Sequence, residues 1–236
     1  MNGPIPLYHQ NAQQHEVVRL RRHLHQYPET GFTEYWTSNE ICSYLSELGY
    51  EISYGKALYE AAYPDINHIS ELVNLDKNKI DNAYQSAMES ISDDKWLPDM
   101  QGGFTGVIAR LSCSDKGPKI GFRFDIDGLP IKESNNNTHK PSIENFTSKN
   151  QNMHACGHDG HTAIGLALAK QIAENREQLL GEFILVFQPS EEGPSGGEVF
   201  QNSIFSNNLI ISFHYISVSL IHVKWYADLR FLVYRV

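Results

Sequence analysis

The segment Glu182-Phe-Ile-Leu-Val-Phe-Gln188 decides the fold class. Apolar residues at consecutive positions are typical of a strand that is buried on both faces of a sheet. A helix is predicted before it, from about 160 to 178, because Ile164, Leu168 and Ile172 recur at every fourth position. Strands that alternate with helices favour a layered sheet. The sequence therefore predicts an α/β fold.

Further elements are predicted outward from this segment. Helices are expected at about 13–26 and 33–49, and strands at 51–53, 104–111 and 119–125. The region 56–101 is interpreted as an insertion with a helix of its own, and residues 133–152 are interpreted as a loop. The apolar stretch 209–223 is too short and too polar for a membrane span, and we expect a pair of strands there.

Composition limits the possible partners. The formal net charge of −9 and the lack of a Lys/Arg stripe exclude nucleic acid and anionic membrane as expected partners. Three scattered cysteines are too few for a disulfide framework, which favours a reducing compartment. Residues 1–16 lack the apolar core of a signal peptide, and we therefore expect a cytoplasmic protein.

The strongest chemical signal is the histidine-rich segment Met153-His-Ala-Cys-Gly-His-Asp-Gly-His161. Cys156 and His158 flank a glycine, so the chain can bend and direct both side chains at one point. A thiolate and an imidazole together suit Zn²⁺, Mn²⁺ or a similar divalent ion. Asp159 is a candidate to orient a histidine. A solvated surface turn is the alternative interpretation.

Two carboxylate pairs follow predicted strands. Glu191 and Glu192 come directly after strand 182–188, where ligand sites in open α/β sheets gather. One carboxylate of such a pair can bind metal while the other transfers protons. Asp125 and Asp127 end strand 119–125 and are predicted to share a face, because side chains alternate along a strand. Acidic turns are the alternative in both places.

Taken in order, these motifs resemble a known family. The segments 125–130, 153–163 and 188–193 are similar to the aminoacylase/carboxypeptidase-type dinuclear metallohydrolases. The match is to their amidohydrolase branch, which includes hippurate and indole-acetyl-amino-acid hydrolases, and residues 20–31 fit that branch as well. The region 56–107 is most similar to the A-type subunit of p-aminobenzoyl-glutamate hydrolase. The resemblance covers roughly residues 13–200.

The resemblance implies roles for individual residues. Cys156, His158 and Glu192 would be metal ligands, Glu191 the general base that activates water, and Asp127 the residue that orients a ligand. His214 would be a further ligand, with His222 a weaker rival, while His154 and His161 would be structural or lie behind the ligands. Two divalent ions, Zn or Mn, would be the cofactors, and the substrate would be an N-acyl amino acid, with p-aminobenzoyl-glutamate favoured.

The resemblance also implies a three-layer α/β/α catalytic domain that is incomplete here. Residues 1–236 would form its N-terminal part, since the family's lid and dimerisation domain and a last ligand histidine have no counterpart in this sequence. Full-length relatives are expected to form homo- or hetero-oligomers. Residues after about 198 diverge, and a shifted reading frame or misread gene boundary is our hypothesis for the tail 199–236.

Two alternatives to an active amidohydrolase remain open. The chain could be an inactive fragment that binds metal weakly or associates with a fuller subunit. It could also be a redox or thiol enzyme based on Cys156, whose histidine neighbours would lower the thiol pKa. The second alternative leaves the glutamate and aspartate pairs without a purpose.

Overall fold

A computed structural model describes the backbone of residues 7–193 and 196–206 and the side chains of residues 16–193 and 196–204. The helices and strands are α1 (Leu7–His25), α2 (Tyr35–Glu47), β1 (Glu51–Tyr54), α3 (Gly55–Glu60), α4 (Lys77–Ser90), β2 (Val107–Ser112), β3 (Lys119–Asp125), α5 (Lys140–Ile143), α6 (His158–Glu174), β4 (Glu182–Gln188) and α7 (Gly196–Ser206). Short 3₁₀ turns lie at Ile69–Glu71, Leu97–Met100 and Arg176–Gln178. Within these residues no helix combines the length and apolar character that crossing a membrane requires.

The strands form one mixed sheet in the order β1-β2-β4-β3. β4 pairs antiparallel with β2 and parallel with β3, and its register sets Gln188 opposite Asp125. Because β3 and β4 run in the same direction, their carboxyl ends lie side by side at one edge of the sheet. α6 provides the connection that returns the chain from one end of this parallel pair to the other, as parallel pairing requires.

Helices cover both faces of the sheet, because strand β4 presents apolar side chains on both faces. Leu185 and Phe187 join a core cluster with residues of α1, α2, α4 and α6, whereas Ile184 and Val186 join a second cluster with residues of α3 and α7. Successive side chains of a strand point to opposite faces, so an uninterrupted apolar strand supplies both cores at once. The predicted three-layer α/β/α arrangement is confirmed.

Several predicted boundaries need correction. Strands β3 and β4 have the predicted ends, but β2 begins at Val107 rather than at residue 104. Thr105 is bonded to side chains instead of to a neighbouring strand: its hydroxyl donates to Glu34, and its carbonyl accepts from the Ser38 hydroxyl. α6 ends at Glu174 because Asn175 leaves the helical conformation, and α5 lies inside the predicted loop 133–152.

The region 56–101 is part of the core. Tyr59, Ile69, Ile80 and Met100 are fully buried there. Its status as an insertion relative to other proteins stays a prediction. α7 continues the fold past residue 198, and the predicted strand pair at 209–223 lies outside the described residues.

Candidate metal centre

Three chain segments meet at the edge where β3 and β4 end. Residues 125–128 follow β3, residues 190–192 follow β4, and residues 156–158 form the start of α6. Two isolated bridges, Thr30 with Gly128 and Leu129 with Met153, fasten the neighbouring loops to each other. All of the carboxylate, thiol and imidazole groups singled out above, except those in the tail, therefore lie at one place in the fold.

Cys156 and His158 approach each other because of the glycine between them. Gly157 has φ of 94° and occupies the N-cap of α6 in a left-handed conformation that side-chain-bearing residues rarely adopt. Ligand atoms of Cys156, His158 and Glu192 lie within 4.8 Å of one another. A thiol, an imidazole and a carboxylate at this separation form a donor set that suits Zn²⁺ and related divalent ions.

Asp127 connects two members of this donor set. The Asp127 side chain is fully buried; Oδ1 lies 3.0 Å from Nδ1 of His158, and Oδ2 accepts a hydrogen bond of 2.9 Å from the backbone N–H of Glu192. The Nδ1 atom of His158 is thus occupied, which leaves Nε2 as the nitrogen for an ion. Such a carboxylate–histidine pair fixes the orientation of the imidazole ring.

The same contacts favour the protonated form of His158 in the metal-free protein. Burial lowers the pKa of His158, but the hydrogen bond to Asp127 and the neighbouring Cys156 outweigh it and raise the pKa to about 11. An ion that binds Nε2 must displace this proton. The negative surroundings of His158 therefore suit either a proton or a metal cation.

Glu191 lies beside the donor set without joining it. Its Oε2 is 3.7 Å from Nε2 of His158, and its side chain is 39% exposed, so the carboxylate is open to water. Partial burial and the negative charge of Asp125 raise the pKa of Glu191, against the opposing effect of His158. A raised pKa brings a carboxylate closer to the range in which it both accepts and releases protons near neutral pH.

Asp125 and His161 form a second donor group that overlaps the first at His158. Ligand atoms of Asp125, His158 and His161 lie within 4.8 Å of one another, and Nδ1 of His161 is 3.2 Å from Asp125. Arg123 also pairs with Asp125 at 3.0 Å. Because one imidazole nitrogen holds one ion, the two groups describe overlapping positions rather than two independent ones.

His154 lies in the wall behind the donor set. It is 4% exposed, and its Nδ1 atom has no hydrogen-bond partner among the described residues. Burial lowers the pKa of His154 to about 4, so the ring is neutral at ordinary pH. His154 belongs to neither donor group, which agrees with its predicted place outside the ligand set.

The sequence patterns did not predict a role for two carboxylates, Glu34 and Glu29, that accept several hydrogen bonds in the fold. Glu34 is fully buried and accepts hydrogen bonds from Thr105 Oγ1 at 2.7 Å and from the Ser190 backbone N–H at 2.9 Å. Burial and the charge of Asp127 raise the pKa of Glu34 well above its usual range. Glu29 accepts bonds from the first backbone N–H groups of α2. Glu34 carries no local sequence signal, because its partners Thr105 and Ser190 are distant in the sequence, whereas the partners of Glu29 are only seven and eight residues away.

The predicted ligand His214 and its rival His222 lie outside the described residues, and nothing in the structure tests them. The geometry gathers the other predicted site residues: Cys156, His158 and Glu192 as one donor set, Asp127 bonded to it, and Glu191 beside it. Their individual roles stay predictions.

The fold and this edge site resemble the α/β domain of a metallopeptidase. Residues 121–218, which include the site, match the model of peptidase family M20/M25/M40. Indole-3-acetyl-aspartic acid hydrolase of Enterobacter agglomerans is 40% identical over 77% of this chain. The A-type subunit of p-aminobenzoyl-glutamate hydrolase from Escherichia coli is 36% identical over the same share. The chain spans 40% of the length of each of these relatives.

Solved structures show the same similarity. The aminobenzoyl-glutamate utilization protein of Klebsiella pneumoniae superposes with a TM-score of 0.61 at 26% identity, over 85% of this chain and 42% of that one. The YXEP protein of Bacillus subtilis, described as a dinuclear metal binding peptidase of the M20 family, superposes with a TM-score of 0.52 at 28% identity, over 84% of this chain and 41% of that one.

Proposed function

We propose that this chain is the front part of a metal-dependent amidohydrolase that cleaves the amide bond of N-acyl amino acids. The observation that carries the proposal is the donor set of Cys156, His158 and Glu192, within 4.8 Å and next to the water-exposed carboxylate of Glu191. p-Aminobenzoyl-glutamate is the proposed substrate, supported by the names of two similar proteins. A cytoplasmic location is proposed from composition alone.

The residues present fit a divalent ion. Cys156, His158 and Glu192 would hold it, and His214 is proposed as a further ligand. A second ion, Zn or Mn like the first, is supported by the dinuclear description of the Bacillus subtilis protein. Bound ions would polarise the scissile carbonyl and lower the pKa of water toward neutrality.

The chain's own residues have separate tasks in this proposal. Asp127 holds His158 by Nδ1 and holds the loop of Glu192 by its backbone N–H, so that both donors face the same point. Glu191 accepts the proton of the attacking water and returns it to the nitrogen of the leaving amine. Its exposure lets that nitrogen and the water reach the carboxylate.

Replacing the proposed base separates proton transfer from metal binding. We expect Glu191→Ala to retain its metal, because Glu191 is not in the donor set, and to lose turnover by about 10²–10⁴-fold. Glu192→Ala is the matched control, which should lose metal as well as turnover. The measurements are bound metal per chain and hydrolysis of an acyl-glutamate. Parental turnover by Glu191→Ala would show that Glu191 is not the base.

The same measurements on the parent chain distinguish an active amidohydrolase from a metal-binding domain that has no turnover of its own. Bound metal with hydrolysis supports the amidohydrolase. Bound metal without hydrolysis, measured on the chain as it stands, supports a metal-binding domain that acts only together with a fuller subunit.

A further inference from the structure

The first turn of α6 carries a second buried carboxylate that the proposed mechanism does not use. Asp159 follows His158 directly but belongs to neither donor group. It is fully buried, and its Oδ1 atom accepts a hydrogen bond of 2.8 Å from the backbone N–H of Gly160. The carboxylate therefore lies in the first turn of the helix that presents His158 and bonds to the backbone of that turn, where a negative charge is stabilising.

The other oxygen of Asp159 is bound by two residues of α1. Oδ2 lies 2.7 Å from Nδ1 of His25 and 3.2 Å from Nε of Arg21. Arg21 and His25 are one helical turn apart, so one face of α1 presents both to the start of α6. They come from segment 20–31, the opening motif of the family resemblance, to which the proposed mechanism gives no role.

His25 also reaches the loop on the far side. Its Nε2 atom lies 2.9 Å from Oε1 of Glu133, and the same oxygen lies 2.8 Å from Nε2 of His139. Both ring nitrogens of His25 thus face carboxylates, an arrangement that an imidazolium satisfies by donating twice. Burial opposes the charge on His25, yet the bonds to Asp159 and Glu133 raise its pKa overall.

We propose that His25 is a positioning residue for the metal centre, which acts through Asp159 to fix the first turn of α6 and thereby His158. The inference rests on the proposed metal site. Asp159 is held on one side by α1 and on the other by the backbone of the first turn of α6. If His25 is lost, a buried carboxylate lacks its main partner and the helix start is free to shift. Residues that orient a metal ligand typically change metal affinity by 10–100-fold when replaced.

The test compares His25→Gln with His139→Gln. Glutamine can replace one of the two bonds of His25 but cannot span both carboxylates. The control makes the same substitution at the other histidine bound to Glu133, whose side chain pairs with that glutamate rather than with Asp159. Co²⁺ is the probe, because a bound thiolate gives it a charge-transfer absorption and its visible spectrum reports coordination geometry.

We expect His25→Gln to bind Co²⁺ about 10–100-fold more weakly than the parent, with an altered visible spectrum, while His139→Gln matches the parent. Cobalt affinity and spectrum unchanged in His25→Gln would overturn the positioning role. So would an equal loss in both variants, because it would place the effect in Glu133 and its loop.

A second readout uses the metal-free protein and separates this inference from the proposed function. Amide hydrogen exchange at residues 158–161 should accelerate in His25→Gln and stay at the parental rate in His139→Gln. If the parent fails to bind Co²⁺ through its thiol, the proposed metal site is wrong, and the exchange rates still decide whether His25 fixes the helix start.

Should His25→Gln not fold, Arg21→Gln tests the same face of α1, since the Arg21 side chain is 56% exposed. Parental exchange and cobalt binding in both Arg21→Gln and Asp159→Asn, which removes the charge that His25 binds, would then overturn the inference.

Discussion

At the scale of single residues, buried carboxylates organise this region of the molecule. Asp127, Asp159, Glu34 and Glu29 each accept hydrogen bonds from backbone N–H groups at the start of a helix or in the loop after β4. These acceptors satisfy donors that a helix start or a tight turn would otherwise leave unpaired. Of the four, Asp127 contacts both His158 and the loop of Glu192, and so lies directly behind the position proposed for a cation.

Glu29 makes the stability of the protein depend on pH. Burial raises the pKa of Glu29 to about 7 from its usual 4.5, although bonds from Thr37 and Trp36 oppose the shift. Between these values the folded state keeps a proton that the unfolded state has released. The contribution of Glu29 to the free energy of unfolding should therefore fall by roughly 2–4 kcal/mol as pH rises from about 4.5 to about 7, and stay level above.

Urea unfolding at a series of pH values measures this effect. Glu29→Gln should show a smaller decline between pH 4.5 and 7 than the parent, because Glu34 still contributes, whereas Glu51→Gln, at an exposed position, should show the parental decline. An identical decline in Glu29→Gln and the parent would assign the pH dependence to other groups.

Some residues of this region could be predicted from the sequence, and others could not. Cys156, His158, Glu191 and Glu192 could be selected because they stand next to one another in short motifs. Glu34 could not, because its partners Thr105 and Ser190 are 71 and 156 residues away in the sequence. Contacts of this kind leave no local pattern, and only the folded chain reveals them.

At the scale of elements, α6 depends on a close approach to the sheet. A Cβ atom at Gly165 would lie 2.7 Å from the ring of Phe124 and 2.9 Å from the ring of Phe187. Distances below 3.0 Å require the helix or the two rings to move. The small residue in the middle of α6 therefore sets the separation between the helix and strands β3 and β4.

Gly165→Ala should destabilise the protein by about 1–3 kcal/mol, because overpacking outweighs the better helix propensity of alanine. Gly197→Ala is the matched control: its Cβ would meet only Gln188, at 3.4 Å or beyond, in the first turn of α7. We expect the control to be neutral or slightly stabilising. Thermal unfolding of both variants decides, and equal midpoints would contradict the packing argument.

Helices and strands were predicted well where the pattern of apolar and polar residues indicated both their type and their end residues. β3 and β4 have the predicted limits, because β3 alternates apolar with other residues, β4 has an unbroken apolar run, and each ends at a polar residue, Asp125 or Gln188. β2 was predicted to begin three residues too early, since Phe104 is apolar but belongs to a loop held by the side chains of Glu34 and Ser38 around Thr105. The strand propensity of a residue does not include the effect of such bonds to residues distant in the sequence.

At the scale of the whole molecule, α7 completes the layer on the second face of the sheet. Phe200 is 1% exposed and lies against Gly106, where even a Cβ atom would come within 2.1 Å of the Phe200 ring. Tyr59 and Phe104 lie in the same cluster. The sequence predicts divergence from about residue 199, yet this aromatic side chain is integral to the core.

Phe200→Ala should lower the free energy of unfolding by about 3–5 kcal/mol, as large-to-small changes in a core do. Gln201→Ala, at the exposed neighbouring position of the same helix, should change it by less than about 0.5 kcal/mol. Denaturant unfolding of the two variants checks the difference. A small effect of Phe200→Ala would mean that α7 contributes little to the stability of the fold.

The parallel pairing of β3 with β4 has a consequence for how the protein is made. Arg123 bonds to Gln188 across 65 residues of sequence, and His25 bonds to Asp159 across 134. Synthesis proceeds from the N-terminus, so α1 leaves the ribosome long before the start of α6, and β3 before β4. Glu192 is the last member of the donor set to be translated. A nascent chain therefore cannot offer the complete set to an ion until the loop after β4 has emerged, so metal capture by the proposed site would have to follow the emergence of that loop.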